Sequence, residues 1–538
     1  MKYFLGCISI LGVLTSCAPK PEGNPDIIHL EPREKLMRLS VDLLGVHPSE
    51  AEMLSIQSNP DFYEDFVDRY LDDPRFVERM KQVFNLRFLT RTGMTYGQML
   101  SGFSNAEVAR AINDEALELV AYIIENDLPY SEIVTADYTM ANPLLSRIWN
   151  LEYPTDQIGW QPARYRDGRP HAGILTMNGV WQAYPSMGGN ANRHRANAVS
   201  KMLLCDDYLS RPVVISRAAV DQLVQDPEDA ISTNASCQSC HASLDPLSAH
   251  FFGLFPNNDE EDTTLYRPER EEGWRMYAHK EPAYYGIPTG NLTELGKVIS
   301  EDTRFVDCAV QTVYEGLGQR IRTDEDWTKI QQHRTEFVDS ELSLKSLVRS
   351  IVLDEEYLAK NLEDPELADR IPTVKVVNPY QLSAIIEDIT QFSWNFDGVD
   401  ALTNNGMGLP VLLGGVDGTV TQRNYMPSVG LVFVQERLAQ AAGWHVADHD
   451  LDPNRTDDAI LLQYVTILDT PESSPEAFDA QIRYLYLRAT GQPLTPEATE
   501  VEELKLMWEQ LHSVKSSPTQ AWAGIISAIL RDPAIITY

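Results

Sequence analysis

Apolar side chains return every three or four positions over most of this chain, the spacing of an amphipathic helix and not of a strand. Leu36, Leu39, Leu43 and Leu44 mark one helix over residues 31–45, and Gly45-Val46-His47-Pro48 stops it. Ser49 followed by Glu52 has the spacing of a capping box for the next helix. Phe62, Phe66 and Val67 predict a helix over 61–70, Leu71-Asp72-Asp73-Pro74 a turn, and a further helix covers 76–88. Ala109, Ile112, Ala116, Leu119 and Ile123 make the apolar face of a long helix over 101–126. From 147 to 169 the period is lost among Pro, Gly and aromatic residues, which predicts irregular structure. A helix over 194–204 follows, then a polar loop from 223 to 236, and an acidic, irregular stretch over 257–285. Helices return at 292–300, 305–316, 325–337 and 344–353. Residues 364–377, charged and Pro-bearing, read as a linker. Helices at 381–392, 431–441, 476–490, 496–512 and 519–530 complete the chain, with the glycine-rich stretch 404–418 as a buried loop or short hairpin. The fold class is all-α: a multi-domain helical protein with long ordered loops.

Length and charge narrow this picture. At 538 residues the chain is expected to form two to four domains. With 79 acidic against 44 basic residues its formal charge is -35, which argues against nucleic acid and anionic lipid surfaces as partners. The start adds a location. Met1-Lys2 is basic, residues 3–14 are mostly apolar, and Leu14-Thr15-Ser16-Cys17 follows. This resembles a bacterial lipoprotein signal, with Cys17 as the lipidation site; the run is too short to span a bilayer. The alternative is a cleaved secretory peptide without lipid. Ala18 is not the aspartate that commonly retains such proteins at the inner membrane. The expected location is the cell envelope, anchored by lipid at the outer membrane and facing the periplasm, with the cell surface as an alternative.

The chemistry is concentrated in Cys237-Gln238-Ser239-Cys240-His241. C-x-x-C-H is the attachment site of a c-type haem: Cys237 and Cys240 form thioethers to the porphyrin and His241 ligates the iron. A disulfide loop or half of a zinc site are the plain alternatives. Asp245 is expected to cap a turn and Pro246 to end the ligand helix. The sixth ligand is open. Met276 follows the histidine in the order seen in small cytochromes; Met177, Met187, His171, His194, His250, His279 or an open iron site are the alternatives. Arg275 is a candidate for a haem propionate, since an arginine fork matches a carboxylate, with a solvent-facing arginine as the alternative. Cys205 and Cys308 are the two cysteines left over, a disulfide candidate in an oxidising compartment. Residues 448–458 carry Asp at calcium-like spacing, but lack the glycine and terminal glutamate of an EF-hand loop and are interrupted by Pro453.

Several stretches together carry a family resemblance. Leu39-Ser40-Val41-Asp42-Leu43-Leu44-Gly45-Val46-His47-Pro48-Ser49, residues 68–80, Gly173-Ile174-Leu175-Thr176, residues 237–247, Gly273-Trp274-Arg275, Leu317-Gly318-Gln319-Arg320 and residues 486–495 are similar to blocks of a large bacterial family. Its members are multi-domain, haem c-containing proteins of unknown function, the planctomycete-type cytochrome c-like proteins. The resemblance implies one embedded cytochrome c-like haem-binding module and no particular activity. The expected organisation is a lipoprotein signal (1–16), a tether (17–30), an N-terminal helical domain (31–145), a haem c-binding region with long loops (146–290), a helical domain closing it (291–363), the linker (364–377) and a C-terminal helical domain (378–538). Single-electron transfer with a redox partner is the leading expectation. A scaffolding subunit of an envelope complex with a stabilising haem, and a haem oxidoreductase with an open iron site, stand beside it; whether the chain is an enzyme stays open.

Overall fold

The computed structural model describes residues 24–92, 101–154, 156–186, 188–212, 217–254, 266–396 and 398–538. The signal residues 1–16, Cys17 and Met187 lie outside the described residues. Helices dominate, and the β-structure among the described residues amounts to short two-stranded pairs and isolated bridges. One pair joins β1 (Ile27–His29) antiparallel to β2 (Ala359–Leu362), with Ile27 and Leu362 in a small apolar cluster. The end of the expected tether is therefore docked on the body, not free.

The helices used below are α1 (Pro32–Leu43), α2 (Asn105–Glu125), α3 (Arg193–Leu204), α4 (Arg217–Gln225), α5 (Pro227–Thr233), α6 (Ala235–Ser248), α7 (Trp274–Tyr277), α8 (Thr303–Gly318) and α9 (Val429–Asp450). Local chemistry sets their ends. Glu31 with Glu34, and Ser104 with Glu107, form capping boxes at α1 and α2, and Ser49 with Glu52 does so at the helix Glu50–Ser58. The long helix thus starts at Asn105, four residues after the expected start, because Ser104 supplies the cap.

Two expectations are corrected around the cysteine motif. The stretch 223–236 is not a loop: α4 and α5 occupy most of it, with Asp226 accepting from the Asp229 amide to start α5. Their polarity misled because, among their described side chains, only Ala219 and Ala230 are fully buried. Nor does Pro246 end its helix. It sits inside α6, which runs on to Ser248 and then as a 3-10 turn to Leu254. Proline lacks only one amide hydrogen bond, and the tightly packed Leu247 and Phe251 beyond it hold the path. The stretch 404–418 is not a hairpin: it holds a 3-10 turn (Asn405–Met407) and a short helix (Leu409–Leu412), with Leu413 and Val416 buried as expected and Met407 and Leu412 exposed.

One apolar core draws on side chains from Leu36 to Tyr357, a second on Val376 to Ile536 together with Val41 of α1. Cys205, at the end of α3, is joined by a disulfide to Cys308 of α8. No helix among the described residues is long and apolar enough to cross a membrane.

Candidate functional site

Helix α6 presents the motif. Asn234 accepts from the Ser236 amide and so fixes the first turn. Cys237, Cys240 and His241 follow at i, i+3 and i+4, so one helix face carries all three. Both thiols are free and half-buried, and Cys240 leans against the large core. The geometry at His241 is specific. Its Nδ1 lies 3.0 Å and 3.2 Å from the two carboxylate oxygens of Asp245, one turn further along. Its Nε2 has no protein partner among the described residues. Asp245 is itself fully buried and held from the other side by α3, where Arg193 donates Nε at 2.6 Å and Nη2 at 3.3 Å. Burial opposes ionisation of Asp245, but the hydrogen bonds from His241 and Arg193 and their charge outweigh it, and the carboxyl sits below the usual aspartate range. Asp245 is thus an ion-pair centre, not the turn cap its place in the sequence predicts.

On the far side of α6, Ser243 meets Tyr208, with Oγ and OH 2.7 Å apart, and Tyr208 donates to the Tyr285 hydroxyl at 3.2 Å. The guanidinium groups of Arg211 and Arg304 lie over these two rings at 3.8 Å and 4.1 Å. Sequence reading found neither this cluster nor Arg193. The signal available was the basic run Arg193-His194-Arg195 in an otherwise acidic chain.

The candidate sixth ligands are placed as follows. Helix α7 rests on a small pad in which Trp274 packs with Ala191, Phe252 and Ala278, and Tyr277 stacks on Phe252. Met276 is 70% exposed on this helix. Arg275 is also at the surface, over the Trp274 ring and 3.3 Å from Glu272. His250 is committed elsewhere: Nδ1 faces the Leu247 carbonyl at 3.0 Å and Nε2 the Thr289 hydroxyl at 2.7 Å. Met177 is fully buried in the large core, and His194 faces the Pro185 carbonyl through Nδ1.

The calcium-like stretch has another use. Asp450 accepts from the amides of Ile460, Leu461 and Leu462 at 2.7–2.8 Å and from His449. Its oxygens close the loop after α9 and are occupied by backbone donors. Among the described residues, no group of three or more His, Cys, Asp or Glu side chains is arranged to hold a metal ion by itself.

The comparison with known families bears on the part of the chain that leads to this site. Residues 27–145 match PSCyt2, Protein of unknown function (DUF1549). The match covers the resemblance read at residues 39–49 and 68–80. No curated protein and no solved structure matches the chain. The PSCyt2 segment is bonded closely to the segment ahead of the motif. Glu115 of α2 is fully buried, accepts from the Thr139 hydroxyl at 2.6 Å and the Gly179 amide at 2.8 Å, and also bonds Tyr165. Tyr184, whose carbonyl accepts from Arg195 of α3, reaches back to the Phe88 carbonyl of the PSCyt2 segment at 2.9 Å. The donor set on α6 fits one group well. Two thiols one turn apart, and an imidazole whose Nδ1 is already bonded, are of the kind that would hold a haem c, with Nε2 left for the iron.

Proposed function

We propose that this protein is a monohaem c-type cytochrome-like protein that passes single electrons, held by lipid on Cys17 at the outer membrane and facing the periplasm. Haem c, bound through Cys237, Cys240 and His241, would supply a one-electron couple. The observation that carries the reading is the shared face of α6, where free thiols and an oriented imidazole stand at attachment spacing. The protein's own residues fix the imidazole tautomer through Asp245 and seat α6 against the large core through Leu244 and Leu247. The PSCyt2 match supports the family setting of the reading. The partner in this reading is a redox protein of the envelope.

The test is optical and EPR spectroscopy with a redox titration of the purified mature protein. A sharp c-type α-band with haem retained through acid extraction, and loss of the covalent adduct when Cys237→Ala and Cys240→Ala are combined, is the expected result. Low-spin iron with fast reversible reduction supports electron transfer. High-spin iron that binds CO moves the reading to an oxidoreductase. Absence of haem overturns both.

A second reading, a scaffolding subunit of an envelope complex, has its own observation. Val429, Val432 and Phe433 at the start of α9, with Leu412 and Met426, leave apolar side chains exposed on the C-terminal block. This reading survives a haem-free result.

A further inference from the structure

We infer that Asp245, clamped by Arg193, is a positioning residue that selects the iron-facing nitrogen of His241 and sets the reduction potential of the haem. The inference rests on the haem reading above and deepens it. A ring nitrogen that donates to a carboxylate leaves the other nitrogen unprotonated and more basic than donation to a neutral carbonyl would. Here the acceptor is a carboxylate of near-zero exposure, 3.0 Å from Nδ1, so the interaction is charge-assisted and screened from water. Electron density pushed through the ring stabilises ferric over ferrous iron and lowers the potential. Arg193 works the other way. It shares Oδ1 with His241, at 2.6 Å against 3.0 Å, and draws charge away from the ring. Arg193 is the first residue of α3, whose far end is joined to α8 by the Cys205–Cys308 disulfide. The carboxylate is thus divided between two donors, and the balance between them is the tuning element.

Two substitutions pull this balance in opposite directions. Asp245→Asn removes the negative charge and is expected to favour ferrous iron by about tenfold, or about 59 mV for a one-electron couple. Arg193→Gln frees the carboxylate for His241 and is expected to lower the potential. The ferric low-spin EPR g spread should widen in Asp245→Asn and narrow in Arg193→Gln, a readout that a purely structural role does not move. The experiment is a redox titration of the full-length holoprotein and both variants, each first checked for covalent haem by its α-band after acid extraction. If wild type carries covalent haem and the potentials move apart as stated, the inference stands. If haem is present and both variants stay within about twofold of the wild-type equilibrium, the inference fails and the haem reading stands. If wild type carries no covalent haem, both fail. Should Asp245→Asn not mature, Arg193→Gln decides alone, and an unchanged potential there overturns the inference.

Discussion

His47, His250 and His333 hold their rings inside the protein, and burial drives each pKa down to about 4. Arg488 adds to the effect at His47, while Asp354 opposes it at His333. The unfolded chain titrates these groups near the ordinary histidine value of about 6.5, so between roughly pH 6.5 and 4 it binds more protons than the folded one. Stability is therefore complete above this window and falls as pH falls through it, by about 3 kcal/mol per histidine at the acid end. We expect the urea midpoint to drop from pH 7 to pH 4.5, and His333→Gln to flatten that slope; a midpoint constant over the window would contradict the assignment. At this scale the sequence made Cys237, Cys240 and His241 legible, because their spacing is itself the chemistry. Arg193 was not, since its partner lies 52 residues away on another helix. The facing of α7 was not either: the order Trp274-Arg275-Met276 says nothing of which side of a four-residue helix meets the pad.

Helices with an apolar stripe were readable, and α1 and α2 are where the spacing put them to within a few residues. Helices α4 and α5 were not, because they bury almost nothing and are held by the Asp226 cap of α5 and by Gln222, which bonds both Asp229 and Thr233. The pairing of Cys205 with Cys308 was legible by elimination, but its meaning comes from the elements it joins. It ties α3 to α8, two helices that line the same core on either side of the motif in sequence. Closing a loop of 103 residues removes much freedom from the unfolded chain. Cys205→Ser with Cys308→Ser is expected to cost about 2–5 kcal/mol, read as a lowered urea midpoint, and a thiol reductant should produce the same loss in the wild type. An unchanged midpoint would mean that core packing alone holds the two helices.

A buried polar knot braces the two cores. Asp42 of α1 accepts from Lys375 at 2.6 Å, Tyr357 at 2.8 Å and Tyr538 at 2.6 Å. Lys375 also donates to the Leu317 carbonyl of α8 at 2.7 Å, and burial, with the charge of Arg38 and Arg423, pulls its pKa down to about 8 against the opposing pull of Asp42. Asp42→Asn would leave that ammonium buried without its counter-charge, at a cost of about 3–5 kcal/mol, and should split one thermal transition into two as the cores part. A single transition at the wild-type temperature would show that the knot is dispensable. Residues 364–377 read as a linker from charge and proline; Lys375 and Val376 in that stretch are in fact buried, which the sequence could not say because their partners lie more than 300 residues upstream, at Asp42, and at the far end of the chain, at Thr537 and Tyr538. The disulfide has one more consequence at this scale. Cys237 and His241 lie between Cys205 and Cys308, so a protease that nicks the backbone once in that interval cannot release the motif. The fragments stay together on a non-reducing gel and separate only after reduction, with any covalently attached pigment migrating on the piece that keeps residues 237–241.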